Sequence, residues 1–129
     1  MQTSQTIKGK SHNKQVGYSG EEFVSKFLQK KGFKILERNY VIQGGEIDLV
    51  CMDKDEIVFV EVKSLSSKSE IMLEQTITKK KNRSLIRTCR VWLSRKGLEN
   101  CEWRIDFVGV IFERYDKIIT LKHIRNAIY

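Results

Sequence analysis

Apolar positions recur along the chain first with a helical spacing and then with a strand spacing. A first helix is predicted from about Ser19 to Lys31, with Gly32 as the glycine that ends it. Ser19 and Glu22 match a capping box, in which each side chain bonds an otherwise unpaired backbone N–H. Because capping accounts for Glu22, Glu21 is the carboxylate left at the edge of the buried helix face.

Shorter apolar segments with a period of two follow and predict strands, with one further helix among them. The predicted segments are, in chain order, a short strand around Phe33–Tyr40, strands Glu46–Met52 and Glu56–Lys63, a helix within roughly Thr78–Lys96, and strands Trp103–Phe112 and Lys117–Ile124. The second and third strands form a hairpin, because their connection is too short for a parallel crossover. The order αβββαββ predicts an α/β fold with a mixed β-sheet flanked by helices.

The first sixteen residues lack hydrophobic periodicity and carry three lysines and no acid. Residues 1–16 are therefore predicted to form a flexible basic arm ahead of a single domain, residues 17–129. No apolar run approaches the roughly 20 residues needed to cross a bilayer, and the N-terminus lacks the apolar stretch of a secretory signal. We therefore expect a cytoplasmic protein with no membrane partner.

Three cysteines occur in the chain, at Cys51, Cys89 and Cys101, without a Cys-x-x-Cys spacing. Cys51 and Cys89 lie within apolar patterns, where a free thiol behaves as a small hydrophobic side chain. A zinc site or a disulfide framework is therefore not expected.

The formal net charge of the chain is +8, and its distribution is uneven. The stretch from Lys79 to Lys96 carries eight basic residues and no acid. Such a block attracts polyanions, because neutralising phosphates releases counterions. We expect nucleic acid, DNA first, as the partner, with an acidic protein or mere solubility as the alternatives. The residues expected to contact nucleic acid are Lys79, Lys80, Lys81, Arg83, Arg87 and Arg90.

Charged residues cluster at one end of the predicted hairpin, whose strands are otherwise apolar. Alternation places Glu61 and Lys63 on one face of the second strand. In the first strand, Ile47 shares a face with Leu49, and Asp48 lies on the opposite face. Asp48 is directly across from Glu61 if the hairpin loop has two or four residues, and on the wrong face if it has three. The sequence alone leaves the loop length open.

With an even loop, Asp48 and Glu61 present the hard oxygen ligands that Mg²⁺ or Mn²⁺ prefers, and such a metal activates water near a phosphate. Lys63 would orient the attacking water or offset charge on the phosphate. Glu21 is a candidate third carboxylate, and Lys81 is placed to approach from the basic helix. A Glu-x-Lys pair alone is more often solvated, and an aspartate in an apolar hairpin is often structural. The combination favours a metal site.

The same segments resemble a known family. The chain is similar to the YraN-like family of uncharacterised bacterial proteins from about Gly17 to Tyr129, and it carries the segments GYSGEEFVSKFLQKKGFKILERNY, GGEIDLV, FVEVK, RIDFVGV and HIRNAIY. That family is assigned to the restriction-endonuclease-like PD-(D/E)XK superfamily and is distantly similar to archaeal Holliday junction resolvases. The resemblance implies a restriction-endonuclease-like fold in which the site residues are Asp48, Glu61, Lys63, the helix carboxylate Glu21 and the helix lysine Lys81.

The residues and the resemblance together predict a metal-dependent endonuclease that hydrolyses DNA phosphodiester bonds, at branched or damaged DNA. The alternative is a nucleic-acid-binding module that cuts nothing by itself and serves a larger complex. A protein-interaction domain with incidental basic blocks is a third reading. Resolvases of similar fold act as dimers, because cutting two strands symmetrically requires two sites, so a homodimer is one expected assembly.

Overall fold

The computed structural model describes residues 2–8, 16–66, 79–112 and 118–128. Its elements are, in chain order, β1 (Gln2–Lys8), α1 (Val16–Lys30), β2 (Lys34–Ile42), β3 (Gly45–Asp53), β4 (Glu56–Ser66), α2 (Lys79–Lys96), β5 (Trp103–Phe112) and β6 (Ile118–Ile128). The six strands form one mixed sheet in the order β1-β6-β5-β4-β3-β2. Only β4 and β5 run parallel; the other four neighbouring pairs are antiparallel. The predicted order αβββαββ is confirmed from α1 onward, with one strand added in front.

The added strand, β1, lies within the segment predicted to be a flexible arm. It pairs along its whole length with β6, in an antiparallel register from Gln2 opposite Ile124 to Lys8 opposite Ile118. Hydrophobic periodicity does not predict such a strand, because an edge strand can be held by backbone hydrogen bonds to its neighbour, here β6, which do not depend on the side chains. Residues 9–15 of the predicted arm lie outside the described residues.

Helix α1 begins earlier than predicted, at Val16 instead of Ser19. Ser19 therefore lies inside the helix, and the capping-box prediction is wrong. Glu22 has other partners: its carboxylate lies 3.5 Å from Arg38 Nη1 and 3.9 Å from Lys26 Nζ. These are exposed ion pairs, each of which contributes at most about 1 kcal/mol.

The end of α1 is as predicted. Gly32 adopts a φ of 97°, which a side chain would disfavour. The N–H of Phe33 donates to the carbonyl of Leu28 at 3.0 Å, which reverses the chain at the helix end. The chain then enters β2 at the edge of the sheet, close to α1.

The sheet separates two apolar clusters, one under each helix. The α1 cluster contains Val24, Phe27, Leu28, Phe33, Leu49, Cys51, Val58, Val60, Val108, Val110 and Leu121. The α2 cluster contains Ile47, Val50, Ile57, Phe59, Leu85, Cys89, Trp92, Leu93 and Ile105. Alternate residues of β4 enter opposite clusters, so the helices cover opposite faces of the sheet in three layers.

Two of the cysteines belong to these clusters, as predicted. Cys51 and Cys89 are buried free thiols, and Cys101 is a partly exposed free thiol. Burial raises the pKa of Cys51 to about 12, which keeps its thiol protonated and unreactive. Separately, neither α1 nor α2, as far as the chain is described, combines the length and the apolar character needed to cross a membrane.

Candidate functional site

The β3–β4 hairpin meets the condition that the metal-site prediction required. Its turn is the two-residue segment Lys54-Asp55, so the loop is even. The regular pairing of the hairpin ends at Leu49 opposite Val60. The next position on each strand holds Asp48 and Glu61, which therefore occupy facing positions where the ladder stops.

Where this ladder of backbone hydrogen bonds ends, the side chain of Asp48 bonds to β4 instead. Its Oδ2 accepts a hydrogen bond from the backbone N–H of Val62 at 2.7 Å. Ile47 packs in the α2 cluster and Leu49 in the α1 cluster, so these two neighbours of Asp48 lie on opposite faces. The prediction that Ile47 and Leu49 share a face is therefore wrong. The alternation shifts at Asp48, and its carboxylate is directed towards the backbone of β4.

Carboxylates from two further elements lie near this point. Glu21 of α1 has a raised pKa, because partial burial and the charges of Asp48 and Glu46 disfavour its ionised form. Glu61 follows Phe59 on the α2 face of β4, and its charge adds to the burial that raises the pKa of Cys89. Asp48 thus lies between an acid supplied from the α1 side and another on the α2 side.

Lys63 is half-buried on β4, two residues beyond Glu61. It pairs in register with Gly109 of the parallel strand β5. Among the described residues Lys63 has no ion pair, so its ammonium is available to a ligand. The structure thus places Lys63 on the strand that carries Glu61, as the sequence predicted.

The described residues contain no group of three or more His, Cys, Asp or Glu side chains arranged to hold a metal ion. Asp48, Glu61 and Glu21 are therefore brought into one region but not into a closed ligand set. Their donor chemistry suits a hard divalent cation, since all three supply carboxylate oxygens. The raised pKa of Glu21 reflects repulsion from the neighbouring carboxylates as well as burial, and a bound cation would relieve that repulsion.

The basic face predicted for nucleic acid lies on α2. The backbone of Lys79, Lys80 and Lys81 forms its first turn, but their side chains lie outside the described residues. The side chains of Arg83, Arg87 and Arg90 are exposed, and they line one depression together with Ile86, Val91 and Ser94. Within the described part of the chain, neither Arg83 nor Arg90 forms an ion pair.

Helix α2 is seated on the turn between β2 and β3. Arg87 Nη2 donates to the carbonyl oxygens of Gln43 at 3.3 Å and Gly44 at 3.1 Å. A side chain at Gly45 would collide with the hydroxyl of Thr88. The two adjacent glycines therefore let the arginine face of α2 approach the start of the strand that carries Asp48, a role that their sequence position alone did not reveal.

A second charged cluster was missed by the sequence reasoning. Asp106 and His123 are completely buried, and Asp106 Oδ2 lies 2.8 Å from His123 Nε2. Arg104 reaches the same carboxylate at 2.9 Å and also bonds Asp53 and Glu56. A signal was present in the sequence, because an aspartate inside an apolar strand requires a partner, but nothing local identified Arg104 and His123 as that partner.

Comparison with known proteins gives a consistent match. A family model described as uncharacterised protein family UPF0102 matches residues 20–110, a range that contains the hairpin and both helix contributions to the site. The chain is 36% identical over 117 residues to a UPF0102 protein of Carboxydothermus hydrogenoformans, covering 91% of this chain and 98% of the relative. It is 49% identical over 96 residues to a UPF0102 protein of Thermotoga petrophila, covering 74% and 86%.

A UPF0102 protein of Chlorobium chlorochromatii is 37% identical over 120 residues, covering 89% of this chain and 92% of the relative. These alignments extend over most of both partners, so the similarity concerns the whole domain and not an isolated motif. The family match and the relatives together show that the chain belongs to the UPF0102 family, the YraN-like proteins that its motifs resemble.

Proposed function

We propose that the protein is a metal-dependent endonuclease that hydrolyses DNA phosphodiester bonds at a PD-(D/E)XK site built from Asp48, Glu61 and Lys63. The restriction-endonuclease-like fold is part of this proposal. One observation carries it: the ladder of the hairpin stops where Asp48 binds the N–H of Val62, facing Glu61. A carboxylate fixed by a backbone N–H at a break in a sheet is held ready for a ligand.

Electrostatics supports a cation at this point. The pKa of Glu21 is raised by partial burial and by the charges of Asp48 and Glu46. Like charges gathered in a partly desolvated place raise the free energy of the folded protein unless a counter-charge joins them. Mg²⁺ and Mn²⁺ are the cations expected here, because they bind carboxylate oxygens and phosphate oxygens together.

Each side chain then has a role. Asp48 and Glu61 would hold the metal, and Glu21 would contribute directly or through a water. The bound metal would supply a nucleophilic water and stabilise charge on the phosphate. Lys63 would orient that water or offset the charge that builds on the phosphate oxygens. Because the described carboxylates form no ready ligand set, we expect Glu21 and Glu61 to rotate towards Asp48 on binding.

The arginine face of α2 supplies the surface for DNA. Arg83 and Arg90 are exposed without a carboxylate partner among the described residues, and Arg87 is oriented by its bonds to the turn carbonyls. Phosphates neutralised by such side chains release counterions, which makes binding salt-dependent. A branched or damaged DNA substrate and a homodimer that cuts both strands remain proposals to be tested with the same protein.

The experiment is a cleavage assay on linear and branched DNA with Mn²⁺. We expect cleavage by the wild type that is lost in Asp48→Ala and Lys63→Ala while the fold is retained. Asp55→Asn is the matched control, because Asp55 is an exposed acid in the turn at the other end of the same hairpin. Undiminished cleavage by Asp48→Ala would contradict the proposal, and light scattering on the same samples tests the homodimer.

A second candidate is a nucleic-acid-binding module that cuts nothing by itself. The missing ready-made ligand set among the described residues favours it. It requires DNA binding whose affinity depends on salt but not on Mn²⁺, and no cleavage of any DNA structure. Binding that becomes tighter with Mn²⁺ in the wild type but not in Asp48→Ala excludes this second candidate.

A further inference from the structure

A strained residue lies on β2 directly beside Asp48. Asn39 has a φ of 52°, the left-handed region that residues other than glycine rarely adopt and that asparagine tolerates best. In the β2–β3 register, Arg38 pairs with Leu49 and Tyr40 pairs with Ile47, so the position opposite Asn39 is Asp48. The only β2 residue with a positive φ therefore faces the central carboxylate of the proposed site.

The side chain of Asn39 does not explain this conformation. It is exposed, and it makes no hydrogen bond to any residue that the structure describes. What Asn39 contributes is the shape of its backbone. A left-handed residue in a strand interrupts the regular pleat and re-aims side chains on the paired strand, as bulges do beside active sites.

An irregularity lies opposite Asn39, on β3. Ile47 and Leu49 lie two residues apart, and a regular strand would place both on one face of the sheet. They pack instead in opposite clusters, one under α2 and one under α1. The residue between them is Asp48, and its carboxylate meets the N–H of Val62 instead of standing out on one face. The break in alternation and the left-handed residue occupy the same rung of the sheet.

A related arrangement, there with a shift of the strand register, occurs a second time in the molecule. Asn126 of β6 also has a φ of 52°, and the β5–β6 register shifts between Ile105 and Phe107, around Asp106. There Asp106 Oδ1 accepts the backbone N–H of Asn126 at 2.8 Å. In both places a left-handed asparagine adjoins an aspartate whose carboxylate binds a backbone N–H.

We propose that Asn39 is a positioning residue for Asp48, and that its left-handed backbone directs the Asp48 carboxylate to the N–H of Val62 and to the metal. This rests on the proposed function for its metal, but its geometric part stands on its own. Asn39 touches neither metal nor DNA in this role, and its chemistry can be replaced by any residue that accepts a positive φ.

The test compares Asn39→Gly, Asn39→Ala and Asn39→Val. Glycine adopts a positive φ freely, alanine with strain, and a β-branched residue least of all. The readouts are the ¹H–¹⁵N shift of the Val62 amide, which reports its bond to Asp48, and the Kd for Mn²⁺. We expect Asn39→Gly to keep the shift and the Kd within about twofold, and Asn39→Val to lose the shift and bind Mn²⁺ at least about tenfold more weakly. Asn39→Ala falls between them and replaces Asn39→Val if that variant does not fold.

Asn126→Val is the matched control, because it strains the equivalent residue beside Asp106. It should leave the Val62 amide and the Kd for Mn²⁺ unchanged. An unaltered Val62 shift in both Asn39→Val and Asn39→Ala would overturn the inference. If the wild type binds no Mn²⁺ while the Val62 shift still follows the predicted order, the proposed function fails and the positioning role stands.

Discussion

Asp106 and Asp48 occupy similar backbone settings and have opposite surroundings. Asp106 is completely buried, and its carboxylate binds Arg104, His123 and the N–H of Asn126. Asp48 is only half-buried, with one backbone hydrogen bond and with acids close by. The difference shows that the surroundings of a strand aspartate, and not its local sequence, decide how far its charge is compensated within the fold.

The pKa shifts have opposite directions in the two regions. Burial alone would raise the pKa of Asp106, but the hydrogen bonds from His123 and Arg104 outweigh it and hold the pKa below the ordinary value. Near Asp48, burial and like charges combine to raise the pKa of Glu21. A perturbed, uncompensated group in an accessible place is the more typical mark of a functional site.

The largest expected effect is on stability at Asp106. Asp106→Asn should lower the free energy of unfolding by about 3 kcal/mol or more, because it removes the buried carboxylate to which both Arg104 and His123 are hydrogen-bonded. Since the folded pKa is lowered, this contribution is present above the ordinary pKa of 3.8 and is lost as the pH falls through the folded pKa. Urea unfolding from pH 7 to acid measures both.

The matched variant is Asp48→Asn, which keeps an oxygen for the Val62 N–H. It should change the free energy of unfolding by less than about 1 kcal/mol. Equal losses in Asp106→Asn and Asp48→Asn would remove the distinction between a structural and a functional aspartate.

A smaller effect is expected where α2 rests beside the Asp48 region. Gly45→Ala should destabilise the protein by about 1–3 kcal/mol, because the new methyl group collides with the Thr88 hydroxyl. Thr88→Ala in the same chain removes that hydroxyl and should restore part of the loss, since the Thr88 Cβ would lie 3.3 Å away. Thermal unfolding of the single and double variants measures this coupling, and full additivity of the two changes would contradict the proposed contact.

Glu21→Gln should have a smaller and opposite effect. Removing an acid whose folded pKa is raised relieves repulsion, so we expect a gain of less than about 1 kcal/mol at neutral pH. The gain should vanish as the pH falls below the ordinary value of 4.5, where the carboxyl is protonated in the folded and unfolded chains alike. Without metal the variant should melt higher than the wild type, whereas Mn²⁺ should raise the melting temperature of the wild type more. A loss of stability without metal would contradict the account.

The smallest effects concern the arginines on α2. Arg83→Gln and Arg90→Gln should each reduce the slope of log K against log salt for DNA binding by about one. Arg125→Gln is the matched control, since Arg125 is committed to Asp53 at 2.8 Å in the Asp106 region. Fluorescence anisotropy across a salt series measures the slopes. An equal change in Arg125→Gln would mean that DNA binding depends on the net charge of the protein and not on the arginines of α2.

The sequence predicted those features that depend on local periodicity and missed those that depend on distant contacts. The hairpin and α2 follow from alternation and helical spacing, and the even turn resolved the one choice left open there. The capping box at Ser19 failed because the helix begins earlier, at Val16. The prediction that Ile47 and Leu49 share a face failed because the alternation breaks at Asp48, opposite the left-handed Asn39 of another strand.

The buried cluster was also beyond local reasoning. Arg104 and Asp106 lie on β5 whereas His123 lies on β6, so their meeting depends on strand register. The faces of the predicted hairpin brought Asp48, Glu61 and Lys63 together, the family resemblance implied the same three residues, and the structure adds where each carboxylate lies relative to the sheet. Whether Lys81 takes part lies outside the described side chains.

The most direct test of the central claim is a Mn²⁺ titration followed by ¹H–¹⁵N spectra of the wild-type protein. Paramagnetic Mn²⁺ broadens amide signals close to where it binds. The account predicts that the amides of Val62 and Leu49 broaden at the lowest Mn²⁺ concentrations and that those of Lys54 and Asp55, in the turn at the far end of the hairpin, persist. Broadening that begins around Asp106, or none near Val62, would contradict a divalent-metal site at Asp48.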